Sequence, residues 1–308
     1  FFKGMAMGAA DVVPGVSGGT IAFISGIYEE LLSSIKSVDV QAIRLLFNFK
    51  LAEFWKHING AFLLPLFIGI IFSILSLAKG ITYLLEAEPV LIWSFFFGLI
   101  IASILFIGKQ VGDWNSFIIG ALVVGGVTAY GITAMTPAQL PEGPAYIFLA
   151  GSLAICAMIL PGVSGSFILL MLGAYGTVLG SISGLIDTAG AGEWDAFVGH
   201  FSLMGIFAAG CAVGLATFSR ALTWMFNNAY NVTIALLTGF MAGSLNKVWP
   251  WKNTLEWRTN SHGQEVPLVQ ENVSPLMYEA GEPNILFAII MVVVGFGVVF
   301  VLERIAED

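Results

Sequence analysis

The sequence predicts an all-α polytopic membrane protein with an inverted-topology repeat, each half one re-entrant helical hairpin plus three transmembrane helices. Three observations carry that expectation. The 308 residues are 57% hydrophobic and 10% charged, whereas a soluble domain carries about 25% charged residues. Several apolar runs reach the roughly 20 residues that a membrane-spanning helix needs. The pentapeptide PGVSG occurs twice, within VVPGVSGGT (12–20) and ILPGVSGSF (159–167), each time between hydrophobic runs.

The first repeat covers 1–135. It opens with a stretch, 1–36, that PGVSG interrupts; as one helix it would overshoot the ~30 Å hydrocarbon core at about 1.5 Å per residue. A re-entrant hairpin fits better, because Pro14 lacks an N–H and clashes with the preceding turn. Residues 37–60 mix Arg44, Lys50 and Lys56 with Phe47, Phe49, Phe54 and Trp55, as expected of an interfacial segment. Spans follow at 61–85, 89–108 and 114–135. The second repeat, 145–305, has its hairpin at 145–183, broken at Pro161, and spans at 201–219, 230–246 and 284–302. Residues 247–283 form the one sizeable aqueous loop, in which TLEWRTNSHGQEVPLVQ reads as a β-hairpin turning at Asn260 to Gly263. Together the repeats make a single membrane transport domain, 1–308.

Internal identities support the duplication. An offset of 147 pairs Gly26 with Gly173 and Tyr28 with Tyr175; an offset of 141 pairs Gly69 with Gly210, Lys79 with Arg220 and Gly98 with Gly239; an offset of 170 pairs 123–125 with 293–295. A hairpin returns to its own side, so three crossings per half turn the second half upside down. Charge agrees: with the first hairpin entering from the cytoplasm, eight basic residues fall inside and only Lys247, Lys252 and Arg258 in outer loops. The loop Leu185 to Gly199, without Lys or Arg, then faces outward. The glycine pairs in GCAVG (210–214) and GFMAG (239–243) are expected at helix-packing faces.

The breaks suggest chemistry. Each second half-helix begins inside the membrane, and its unpaired N–H groups and positive dipole end suit an anion. Ser17 and Ser164 stand at the N-cap positions. Gly15, Gly18, Gly19, Gly162 and Gly165 let backbone approach a phosphate, and Thr20 and Ser166 add hydroxyls. The alternative is a Pro/Gly kink packed against neighbouring helices, its serines bonding their own backbone. Asp11 lies one turn before the first break, where an ionisable group is costly; it is a candidate for proton or cation coupling, or else a cap for nearby N–H groups. Its counterpart is Met158. Lys79 and Arg220 are candidate phosphate contacts near opposite faces, or snorkelling residues.

Other classes are excluded. A net charge of −8 with scattered Lys and Arg offers nucleic acid no basic patch. Cys156 and Cys211 lie in apolar runs as buried thiols. Five loop glutamates and His262 show no repeated ligand spacing, so neither metal nor cofactor is expected. No signal peptide is visible, and with Phe1 in place of Met a short upstream segment is expected. The sequence gives no oligomeric state.

The run GMAMGAADVVPGVSGGTIAFISGIYEELLSSI, with its echo ILPGVSGSFILLMLGAYGTVLGSI, resembles the bacterial polyprenyl-phosphate transporter family, formerly a domain of unknown function, over essentially the whole chain. The resemblance implies a multi-pass flippase of the bacterial cytoplasmic membrane that returns undecaprenyl phosphate to the inner leaflet for cell-envelope synthesis. Two other readings stay open. Undecaprenyl-diphosphate phosphatase has a similar PGxSRS motif, but Gly18 and Gly165 replace its Arg, and its E-x-x-x-E motif has no counterpart near either break, so hydrolysis lacks its charge clamp and base. A small-anion transporter or channel would use the same hairpins.

Overall fold

The computed structural model describes all residues except 14–15, 136–142, 260–264 and 308, and the backbone alone at 78, 79, 82, 86, 266, 302, 303 and 305–307. The chain starts with α1 (Phe2–Asp11), then α2 (Gly18–Ile24) and α3 (Tyr28–Lys36). Gly26, with φ +71°, makes the turn between α2 and α3, a left-handed conformation that glycine adopts without steric cost. Residues 37–60 form two short helices, α4 (Val40–Phe47) and α5 (Leu51–His57). Asp39 caps α4 through the Ala42 amide and meets His57 Nε2 at 3.1 Å. Phe47, Phe49, Leu51 and Trp55 stay exposed there, as an interfacial segment requires.

Long helices follow: α6 (Gly60–Ala87), α7 (Pro89–Gly108) and α8 (Ser116–Ala134). The second half contains α9 (Pro144–Ile159), α10 (Gly165–Met171), α11 (Tyr175–Ala191), α12 (Trp194–Asn228), α13 (Tyr230–Ser244) and α14 (Ile285–Glu307), without counterparts of α4 and α5 among the described residues. Gly173, with φ +67°, turns α10 into α11 as Gly26 turns α2 into α3. Between α13 and α14 lies an antiparallel pair, β1 (Lys252–Thr259) and β2 (Glu265–Asn272). The expected turn, Asn260 to Gly263 with His262, lies outside the described residues.

By length and apolarity α7, α8, α12 and residues 60–77 of α6 can cross a membrane; α10 and α11, bent by 109° at their break, would make a fifth crossing if they formed one span. At 15 residues α13 is shorter than the expected span, and the apolar part of α14 covers only Ile285–Val301. Among the described residues the protein is thus mostly helical, with four to five helices able to cross a membrane. One boundary differs from expectation. Leu185 to Gly199 is not an open loop, because α11 runs to a left-handed cap at Gly192 and α12 starts at Trp194. At 35 residues, α12 is about 52 Å long, so it extends well past its apolar middle.

Small residues set the packing. A side chain at Gly98 would strike the Val292 carbonyl, and one at Gly239 would strike that of Leu122. Gly295 similarly abuts Phe95, and Gly125 abuts Leu236. These contacts join α7 to α14 and α8 to α13, so each pair takes one helix from either half. Within the halves, Gly4 meets Leu66 and Gly69 meets Phe1 between α1 and α6, while Gly151 meets Phe207 and Gly210 meets Phe148 between α9 and α12. Each of these contacts has its counterpart in the other half at offsets of 147, 141 and 170. Backbone approach of this kind is how helices associate where no hydrophobic force separates helix from lipid. Outward, Phe67, Leu75, Val127, Val213 and Val293 are exposed, an apolar surface suited to lipid.

Candidate functional site

Residues 17–20 of the first break and 158–162 of the second come together through hydrogen bonds. The first is built from the end of α1 and the start of α2. Ser17 has extended backbone, and its Oγ accepts the Gly19 amide at 3.1 Å, the N-cap expected. Asp11 turns back over the break, and its Oδ1 accepts the Gly18 amide at 2.7 Å. Of the two roles open to Asp11, the geometry therefore displays the cap. Thr20, Gly18 and Gly19 are all buried. Gly19 is packed so closely that a Cβ would lie 2.6 Å from the Ile159 carbonyl.

The second break is built from the end of α9 and the start of α10. Gly162 has φ +87° and sits against Ser244 at the end of α13, so a side chain there would be both strained and crowded. Its amide donates to Thr20 Oγ1 at 2.9 Å. The Ser17 hydroxyl lies 3.3 Å from the Met158 carbonyl and 3.2 Å from that of Leu160, and the Tyr28 hydroxyl donates to the Ile159 carbonyl at 3.1 Å. These bonds satisfy the carbonyls that the end of α9 leaves open. Helix-break carbonyls in one half are thus held by hydroxyls of the other.

The two breaks are not equivalent. Ser164 occupies the N-cap position of α10, yet its hydroxyl bonds Ser166 Oγ at 2.9 Å and does not cap the helix. Among the described residues no side chain caps α10; Gly165 is partly exposed and Ser166 is exposed. Met158, where the first half has Asp11, offers no carboxylate to the start of α10. Pro161 is buried beside Gly162, whereas Pro14 and Gly15 lie outside the described residues. Arg220 is exposed on α12 and donates to its own helix at the Ala216 carbonyl, 2.6 Å away, so it is not gathered with the breaks. The Lys79 side chain lies outside the described residues. Among the described residues no three of His, Cys, Asp and Glu come together.

The sequence reading missed Tyr28 as a cross-break donor, although its pairing with Tyr175 marked it. It also missed that Thr20 accepts from the opposite break, for which no signal exists in the sequence. Chemically, the arrangement offers amides and hydroxyls at two helix starts, one closed by an internal carboxylate and the other uncapped.

Known proteins agree with the resemblance. Residues 7–266 match the family model VCA0040-like, described as undecaprenyl phosphate translocase-like. A polyprenyl-phosphate transporter of Vibrio cholerae is 44% identical over 310 residues, covering 100% of this chain and 96% of that protein. A polyprenyl-phosphate transporter of Staphylococcus aureus is 33% identical over 260 residues, 80% of this chain and 84% of that protein. No solved structure matches. With its apolar helices and this full-length similarity, the chain is a multi-pass membrane protein that belongs to the undecaprenyl phosphate translocase-like family.

Proposed function

We propose that this protein carries undecaprenyl phosphate across the bacterial cytoplasmic membrane, from the outer to the inner leaflet, for reuse in cell-envelope synthesis, and does so without hydrolysing it. The observation that carries the reading is the bond between the Gly162 amide and Thr20 Oγ1, since it ties two helix breaks from opposite halves at one point. The family description supplies undecaprenyl phosphate, and the relatives' names supply the wider class of polyprenyl phosphates.

In this reading the halves are inverted repeats, each with a re-entrant hairpin and three spans. The glycine contacts that recur at the repeat offsets support it, as does the asymmetry of basic residues. The phosphate binds between the hairpin tips, at Gly15, Ser17, Gly18, Gly19 and Thr20 from one side and Gly162, Ser164, Gly165 and Ser166 from the other, while the prenyl tail stays in lipid. With Thr20 on Gly162 and Asp11 on Gly18, these two amides are occupied, as in a closed state, while the start of α10 has no side-chain cap among the described residues. Rocking one repeat against the other frees them for a headgroup. Asp11 and the phosphate compete for the Gly18 amide, and a proton or cation taken up by Asp11 relieves the repulsion.

The test is leaflet-resolved labelling of polyprenyl phosphate in liposomes with and without the purified protein. Protein-dependent transfer with no release of inorganic phosphate supports the proposal. Phosphate released from undecaprenyl diphosphate, and lost in Ser17→Ala, would replace it with an enzyme. Transfer of sulfate or inorganic phosphate alone would replace it with an anion carrier.

A further inference from the structure

Just beyond the second break, the outer loop lays two lysines against aromatic faces. Lys252 is only 7% exposed, with Nζ 3.6 Å from the centroid of Trp93 on α7. Lys247 follows the end of α13 and places Nζ 4.5 Å from the ring of Phe167, three residues past Ser164 on α10. The pair is in contact, since Lys252 Nζ donates to the Lys247 carbonyl at 2.6 Å. Together they bridge a helix of the first half and the second break.

Neither lysine has a carboxylate within 4.0 Å among the described residues, although Glu256, Glu265, Glu271, Glu279 and Glu282 lie in the same loop. An ammonium has three donors. Lys252 uses one on protein, and Lys247 uses none among the described residues. Burial lowers both amines below their ordinary range, Lys252 the further, with the Lys247 charge as its second cause. An aromatic face offsets only part of what burying an ion costs. Two neighbouring amines are thus buried without a carboxylate partner among the described residues, and a bound anion would restore their charge. A phosphate monoester, with a charge of about −1.5 to −2 and three acceptor oxygens, matches two ammonium groups better than a monovalent anion does.

We propose that Lys247 and Lys252 form an anion site that receives a phosphate monoester at the outer mouth of the second break and passes it to Ser164 and Ser166. The site deepens the transport reading and rests on it for the lipid source. Its place explains why the outer loop, absent from the first half, folds back onto α7 and α10. Trp93 and Phe167 hold the amines in position and leave their remaining donors for the incoming group.

The experiment uses the full chain in liposomes. Amine-reactive labelling of Lys247 is quantified by mass spectrometry against a short-chain polyprenyl monophosphate, the matching prenol and inorganic phosphate, with Lys36 and Lys109 as references. Labelling should fall about threefold at a probe concentration about twice its dissociation constant, with the polyprenyl phosphate and not with the prenol. An equal fall with inorganic phosphate supports the anion site and assigns it to free phosphate. No change with either phosphate overturns it. Lys247→Met and Lys252→Met keep the apolar stems, so melting temperature should hold or rise while uptake of outer-leaflet lipid falls about tenfold or more, near 1.4 kcal/mol. Unchanged uptake in both variants also overturns the site. If wild-type protein moves no lipid, the transport reading fails by itself, and protection of Lys247 by inorganic phosphate still decides this one.

Discussion

Gly162 donates its amide to Thr20 Oγ1 across 2.9 Å, 142 residues away in sequence, and both groups are buried. Removing the acceptor leaves the amide without a partner, at about 1–3 kcal/mol. Thr20→Val, which keeps shape and loses the hydroxyl, is therefore expected to lower thermal stability by that amount in detergent. Thr20→Ser should restore it. A Thr20→Val protein that melts like wild type would show that the bond is not sustained.

Glycines at helix crossings should divide into two classes. Gly98→Val and Gly239→Val drive a side chain into the carbonyls of Val292 and Leu122. Each is expected to cost more than about 3 kcal/mol, seen as lost expression or early melting. Among the described residues Gly120 and Gly131 have nothing within 4 Å of an added Cβ, so Gly120→Ala and Gly131→Ala should stay within about 1 kcal/mol of wild type. Equal behaviour of the two sets would mean that the crossings are looser than described.

Much of this was legible in the sequence because the signals are local or repeated. Proline and glycine mark both breaks, alternation in TLEWRTNSHGQEVPLVQ marks the strands, and three offsets expose the duplication. Hydropathy measures immersion in lipid, however, and not helix length. For that reason α12 continues through residues read as loop. Side-chain pairing was less legible. The Ser17 cap follows from its place before α2, but Ser164 in the same place turns to Ser166, because the hydroxyl at 166 is a nearer partner where the first half has Gly19. The pairing of Thr20 with Gly162 needs the tertiary fold. Lys247 and Lys252 read as ordinary loop cations, since nothing local reveals that their loop folds onto Trp93 and Phe167.

Sidedness tests the inverted arrangement. In a Cys156→Ala, Cys211→Ala background, single cysteines at Lys50 and at Glu256, both exposed, should react with an impermeant maleimide from opposite faces: Lys50→Cys only after the inner face is opened, Glu256→Cys in intact cells. Labelling of both from one face would sink the topology, because the parity of three crossings per half puts them on different sides.

Asp11 gives the sharpest test of coupling. Its Oδ1 holds the Gly18 amide at 2.7 Å, and an added Cβ on Gly18 would lie 2.6 Å from Oδ2, so no second anion fits there while the carboxylate stays in place. A phosphate can reach that amide only if Asp11 withdraws or is neutralised, and uptake of one proton would give a rate changing up to about tenfold per pH unit. Asp11→Asn keeps an acceptor for Gly18 and nearly the same volume. It should therefore fold and melt like wild type, while transport loses its dependence on pH or on the cation gradient. Asp11→Ala removes the acceptor and is expected to lose about 1–3 kcal/mol of stability. Lipid transfer in proteoliposomes across a range of pH and cation gradients, measured beside thermal melting, separates the two roles. An Asp11→Asn protein whose profile matches wild type leaves Asp11 as a cap on α2, and the coupling group must then be sought elsewhere.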